Sequence, residues 1–122
     1  MARAGGGTSM RSGNIAALFA AGLLFGLGGC QQTLYDWGSY DASVQRLYFN
    51  SDKAVAKDAP KLAGEIQRTL DAGRAVPPGK AAHTGYLFYL AGDHASARKY
   101  FRLESDLYPE SSRMVDHMIA RL

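Results

Sequence analysis

Beyond Cys30, apolar positions recur three and four residues apart, and no segment alternates long enough to make a strand. Trp37, Tyr40, Val44, Leu47 and Tyr48 fall on one face of a short helix over about Tyr40 to Phe49. Asn50-Ser51-Asp52 is a turn-rich break. Leu62, Ile66 and Leu70 stripe a second helix, Asp58 to Ala72. Asp58 is its expected cap, and Pro60 lies in the first turn, where a missing N–H costs nothing. Gly73 ends it, and RAVPPGK leads into a third helix, Pro78 to Ala91. Gly92 supplies a left-handed position and Asp93 an N-cap for a fourth helix, His94 to Tyr108, which Pro109 stops. A fifth, Ser111 to Arg121, carries Met114, Val115, Met118, Ile119 and Leu122 on one stripe. Five short helices with tight connections predict an all-α domain.

The pattern before Cys30 is different. Asn14 to Gly29 read NIAALFAAGLLFGLGG without a charge, Arg3 and Arg11 precede the run, and the first acidic residue is Asp36. A basic start, a short apolar stretch and small residues at its end make a secretory signal. The run falls short of the ~20 residues of a membrane span, which disfavours an uncleaved transmembrane anchor. Leu27-Gly28-Gly29-Cys30 resembles the bacterial lipobox, although Gly28 stands where Ala or Ser is more usual. The resemblance implies cleavage after Gly29 and a diacylglycerol on the Cys30 thiol, with palmitate-type acyl chains. Cys30 is the sole cysteine, so no internal disulfide competes with that modification. Gln31 follows it, where Asp commonly retains lipoproteins in the inner membrane. The resemblance therefore implies the periplasmic leaflet of the outer membrane. The expected organisation is a signal peptide over 1–29, a lipidated tether over 30–39 and the helical domain over 40–122. Met10 is a second possible start.

Removing residues 1–29 from 122 leaves 93, enough for one small domain with a modest core. It also removes Arg3 and Arg11 and takes the formal charge from +3 to +1. With no remaining basic cluster, nucleic acid is not an expected partner.

Gly85, Phe88, Gly92, Ala97, Phe101 and Pro109 stand at the spacing of one tetratricopeptide repeat, and Gly85 to Pro109 resembles such a helix–turn–helix. Small Gly85 and Ala97 let two antiparallel helices approach, Phe88 and Phe101 fill the flanks, Gly92 makes the turn and Pro109 ends the second helix. Thr84 stands in place of the usual Leu, and Glu104 in place of the usual Ala. A second repeat is not apparent, and the last helix is expected to cap the pair over Tyr100, Leu103 and Leu107.

Further resemblance rests on longer segments. LYDWGSYDASV (Leu34 to Val44), VPPGKAAHTGYLFYLAGD (Val76 to Asp93) and YFRLESDLYPES (Tyr100 to Ser112), taken with the lipobox, resemble a bacterial lipoprotein family still classed as domain of unknown function 4810. That resemblance implies a partner of the curli-secretion-channel lipoprotein type, beside which such proteins are often encoded. It carries no established activity.

Candidate chemistry is sparse. GRAVPPGKA (Gly73 to Ala81) has the look of a phosphate loop, but five residues separate its glycines where four are needed, and Ala81 replaces the magnesium-binding hydroxyl. His83, His94 and His117 lie on three predicted helices without ligand spacing, so no metal site is expected and they read as helix-surface residues. Ser111, Ser112, Asp116 and His117 share one short helix and cannot converge as a triad, so a serine there is better read as an N-cap. Asp58, Glu65 and Glu104 lie among basic residues and read as solvated helix faces. No catalytic residue, cofactor beyond the lipid on Cys30, or small-molecule substrate is expected.

Tyr86, Tyr89 and Leu90 are the candidate partner-binding residues, placed opposite Gly85 and Phe88 on the third helix, where aromatics act as rigid anchors. The competing expectation, favoured by the small size of the domain, packs them on Leu62, Ile66 and Leu70. Tyr35, Trp37 and Tyr40 lie near the lipid, at the membrane interface or sealing the bundle, and the helical stripe favours packing. The functional expectation is a non-catalytic envelope lipoprotein that binds an envelope protein and assists its assembly or localisation. A regulator of a cell-wall synthase is the alternative, and a small envelope enzyme stands behind both.

Overall fold

A computed structural model describes residues 33–122. The expected cleavage at Gly29 and lipidation at Cys30 lie outside the described residues. The architecture is all-α. Helices α1 (Tyr40–Phe49), α2 (Asp52–Ala56), α3 (Ala59–Asp71), α4 (Lys80–Leu90), α5 (His94–Leu107) and α6 (Ser112–Ile119) follow in order, with a 3-10 turn over Pro109–Ser111. None of the described helices is long and apolar enough to cross a membrane.

The five helices that spacing predicts are present, and α2 is an addition. The predicted break is only Asn50-Ser51, after which one and a half turns bury Val55 and Ala56. In α3, Leu62 and Ile66 are buried as expected, but Leu70 opens to solvent and Thr69 takes the buried position. Tyr48 leaves the predicted stripe of α1: it is 80% exposed and Phe49 beside it is 86% exposed.

Three apolar clusters form the interior. Val55, Ala59, Leu62 and Leu87 make the first, Ile66, Val76, Ala81 and Tyr100 the second, and Ala97, Phe101 and Val115 the third. Phe88 touches all three. Its ring stacks on Tyr100 with centroids 5.5 Å apart.

The α4–α5 hairpin has the repeat-like construction. A Cβ on Gly85 would meet Phe101 Cδ1 at 2.8 Å and the Ala97 carbonyl at 3.0 Å, so the missing side chain sets the helix separation. Gly92 turns the chain at φ +80°. Asp93 then caps α5, accepting from the Ser96 N–H at 3.0 Å. Pro109 opens the 3-10 turn after α5 has ended at Leu107. Helix α6 does cap this pair, but over a different face from the one expected. Val115 packs on Ala97 and Phe101, with Met118, Ile119 and Leu122 around them. Ala97 and Phe101, four apart, make the stripe under α6, whereas Tyr100 and Leu103, three apart, turn toward α3. Two expected caps are absent. Asp58 makes no capping bond, and Ser111 instead donates its Oγ hydrogen to the Tyr108 carbonyl at 2.7 Å.

Candidate functional site

The polar residues of the interior gather around the start of α4. Lys80 is fully buried, and its Nζ lies 3.0 Å from Glu65 Oε2 on α3. The same ammonium donates to the carbonyls of Asp36 and Trp37, each at 3.2 Å. Glu65 also accepts from the Ser39 backbone N–H at 3.1 Å and from the Ser39 hydroxyl at 2.7 Å. The Asp36 carboxylate takes Arg74 at 3.3 Å, and Tyr35 forms an isolated parallel bridge with Ala75. Residues 35–39 are thereby stitched across α3 and the 72–79 connection. Residues 35–39, the last part of the segment expected as a lipidated tether over 30–39, thus pack against the helices. Burial pushes the Glu65 carboxyl up, but the Ser39 bonds and Lys80 outweigh it and hold the group below its ordinary value.

Aromatic rings continue the strap. Tyr35 meets Trp37 edge-on at 5.9 Å, Trp37 stacks on Tyr40 at 6.0 Å, and Tyr40 meets His83 edge-on at 5.4 Å. Tyr35 and Tyr40 are half-buried, whereas Trp37 stacks on Tyr40 and is still 42% exposed.

A more deeply buried carboxylate organises the other side. Glu104 is 3% exposed, and it accepts from the Gly79 N–H at 2.8 Å and the Ala82 N–H at 3.2 Å. It caps α4 from α5, using two of the donors that a helix start leaves unpaired. Its negative charge also faces the positive end of the helix. Tyr108 closes the same corner, donating to the Val76 carbonyl at 2.5 Å. Burial first, then Tyr35, pushes its hydroxyl up to about 12. Glu65, Glu104 and Asp58 are thus not solvated faces: Asp58 holds Arg46 through two hydrogen bonds, at 2.6 and 2.9 Å.

His83 is half-buried rather than on the surface. Its Nε2 shares a hydrogen bond with the Ser43 hydroxyl at 2.9 Å, and burial lowers its pKa although Asp58 pulls the other way. Serine, imidazole and carboxylate of a hydrolase are near one another, yet Ser43 is fully buried and the Asp58 carboxylate is engaged by Arg46. A nucleophile must reach its substrate, so this pair serves α1–α4 packing. His94 and His117 are exposed; one meets the Leu122 carbonyl and the other Arg121. No group of three metal-ligating side chains occurs among the described residues.

The predicted partner-binding trio divides. Tyr86 and Tyr89 stack with centroids 6.1 Å apart, and with Phe101, Met118 and Arg121 they line a cleft of about 230 Å³ against α6. Tyr86 therefore sits on the Phe101 side of α4, not opposite it. Leu90 lies elsewhere, packed on Val55, Ala59, Leu62 and Leu87. Of the trio, Leu90 is the one packed on the cluster that holds Leu62, which meets the competing expectation in part. The 100° step between adjacent helical residues separates Tyr89 from Leu90.

Lys80, Glu65 and Glu104 were absent from the sequence-based candidates. Their signal is positional. Lys80 precedes Thr84 and Leu87 by four and seven residues, and Glu104 follows Phe101 by three, so each carries its charge on a buried stripe. Lys80 is also the lysine of the phosphate-loop lookalike, and its ammonium is directed at Glu65 and two carbonyls.

A family model described as Domain of unknown function (DUF4810) matches residues 34–118. That span runs from the docked strap through almost all of α6. No curated protein and no solved structure matches the chain.

Proposed function

We propose, from the premise that this chain belongs to the family described as Domain of unknown function (DUF4810), that it is a non-catalytic binding module held at the periplasmic face of the outer membrane. Lipid on Cys30 attaches it there, and it binds an envelope protein and assists that protein's assembly or localisation. A curli-secretion-channel-type lipoprotein is the preferred partner, on the sequence resemblance alone.

One observation carries this reading. Each charged side chain buried in the described domain is committed to structure: Lys80 to the strap, Glu65 to Ser39 and Lys80, and Glu104 to the start of α4. Outward the domain presents clefts between helices and exposed aromatic residues such as Tyr48, Phe49 and Tyr89. The docked strap adds a mechanical consequence. Only residues 31–34 separate the lipid-bearing cysteine from Tyr35, a reach of roughly 17 Å at most. A membrane-bound partner would meet the domain at high effective concentration.

The test is cross-linked co-purification from envelope membranes, comparing wild type with Cys30→Ala by mass spectrometry. Recovery of one envelope protein with wild type and its loss with Cys30→Ala supports the reading. Recovery of none from either overturns it.

A further inference from the structure

A trough of about 530 Å³ runs between α3 and α5. Ile66 and Leu70 from α3, with Leu103 from α5, give it an apolar floor. Arg98, Lys99 and Arg102 of α5 give it a cationic rim. Arg98 and Arg102 are one helical turn apart and share an edge. None of the three makes an ion pair among the described residues, and Lys99 Nζ lies 5.4 Å from the centre of the Tyr100 ring. Asp106 is the single carboxylate in the lining. Leu70, which spacing predicts in the core, is 36% exposed and faces this trough.

We propose that the trough receives an acidic amphipathic helix of the envelope partner. Two carboxylates one turn apart on that helix meet Arg98 and Arg102, while its adjoining apolar side chains seat on Leu70 and Leu103. The proposal deepens the partner-binding reading above and rests on it. Charge complementarity selects the sign, since arginine takes carboxylate through paired parallel hydrogen bonds. The apolar floor selects an amphipathic occupant over a bare anion, because seating it removes apolar surface from water. Shape selects a rod, since the lining follows the length of α5. The α5 residues that line it, Ala95 to Asp106, extend about 17 Å, three turns of a docked helix.

The test places a benzophenone amino acid at Gln67, on the trough's α3 edge, in the full lipidated chain, and irradiates envelope membranes. Mass spectrometry identifies the cross-linked segment. The same probe is carried by Arg98→Glu/Arg102→Glu and by the milder Arg98→Gln/Arg102→Gln, each checked for folding by circular dichroism. The expected segment is amphipathic with two carboxylates one turn apart. Its yield falls about tenfold on charge reversal, less on neutralisation, and also falls with added salt. A segment without carboxylates, a yield insensitive to both double variants, cross-links to lipid alone, or no cross-link at Gln67 while co-purification still recovers a partner each overturns the trough and leaves the partner-binding reading standing. No partner by either route overturns both.

Discussion

Replacing Lys80 with methionine isolates what the strap contributes. The substitution keeps the side chain's approximate length and removes the ammonium that joins Glu65 to the carbonyls of Asp36 and Trp37. Breaking a buried ion pair by deleting one partner costs about 3–5 kcal/mol, because the survivor stays desolvated. Glu65 retains two hydrogen bonds from Ser39, and its side chain is 14% exposed against 0% for Lys80, so the lower end applies, about 3 kcal/mol. For a domain of this size each kcal/mol moves the unfolding midpoint by about 4–8 °C, which gives a fall of roughly 12–24 °C. Two readouts separate the strap from the bundle. Circular dichroism follows the helices during heating. Trp37 is the sole tryptophan and lies on the strap, stacked on Tyr40, so its emission reports docking directly. In Lys80→Met the emission should shift to the red at temperatures where the helical signal is still native. The double variant Lys80→Met/Glu65→Met should recover part of the loss, since an apolar pair carries no unpaired charge. A Lys80→Met protein within about 0.5 kcal/mol of wild type, the range of an inconsequential surface change, or one with unaltered emission, would refute the assignment of Lys80 as the strap's anchor.

Three further outcomes follow from the interior contacts. Gly85→Ala should destabilise by about 1–3 kcal/mol in chemical denaturation, because the added methyl meets Phe101 at 2.8 Å and the Ala97 carbonyl at 3.0 Å; a neutral or stabilising result would mean the hairpin can open at no cost. Glu104→Ala should cost about 1–3 kcal/mol by leaving the N–H groups of Gly79 and Ala82 without their acceptor, and Glu104→Gln should lose less in the same melts, as it keeps one amide oxygen. His83 is half-buried with a lowered pKa, so the unfolded chain binds its proton more readily. That contribution is complete above about pH 6.5 and is lost as pH falls through that value toward the folded-state pKa. The thermal midpoint should therefore drop between pH 7.5 and pH 5.5, and His83→Gln should flatten the drop; an equal slope in both proteins would assign the pH dependence elsewhere.

The helices were readable because their signals are local. Leu62 and Ile66, four apart with Gly64 between them and Arg68 beyond, share a helix face and do not make the apolar alternation of a strand, and Gly92-Asp93 supplies a turn and a cap within two residues. The small residue at 85 and the aromatic at 101 likewise implied close helix approach, and the Phe101 ring does lie where a Cβ on Gly85 would go. Helix α2 escaped notice since five residues carry too little periodicity to stand out beside a turn-rich sequence.

Periodicity fixes which residues share a stripe but not which neighbour that stripe meets. Tyr100 and Leu103 were expected beneath the last helix and instead face α3, while Ala97 and Phe101 hold α6. Tyr86, Tyr89 and Leu90 are near in sequence yet reach two different clusters. The carboxylates show the same division. Beside Arg68 in the sequence, Glu65 reads as a solvated residue, and only folding brings it to Lys80, fifteen positions away, and to Ser39, twenty-six positions away. Composition and spacing thus determined the all-α class, five of the helices, the hairpin and its turn. Tertiary structure alone decided that residues 35–39 dock, that Glu104 is buried and Glu65 meets the buried Lys80, and that a cationic trough opens between α3 and α5. Helix formation draws on bonds within a few residues of each other, whereas pairing and burial depend on distances that exist only once the helices have packed.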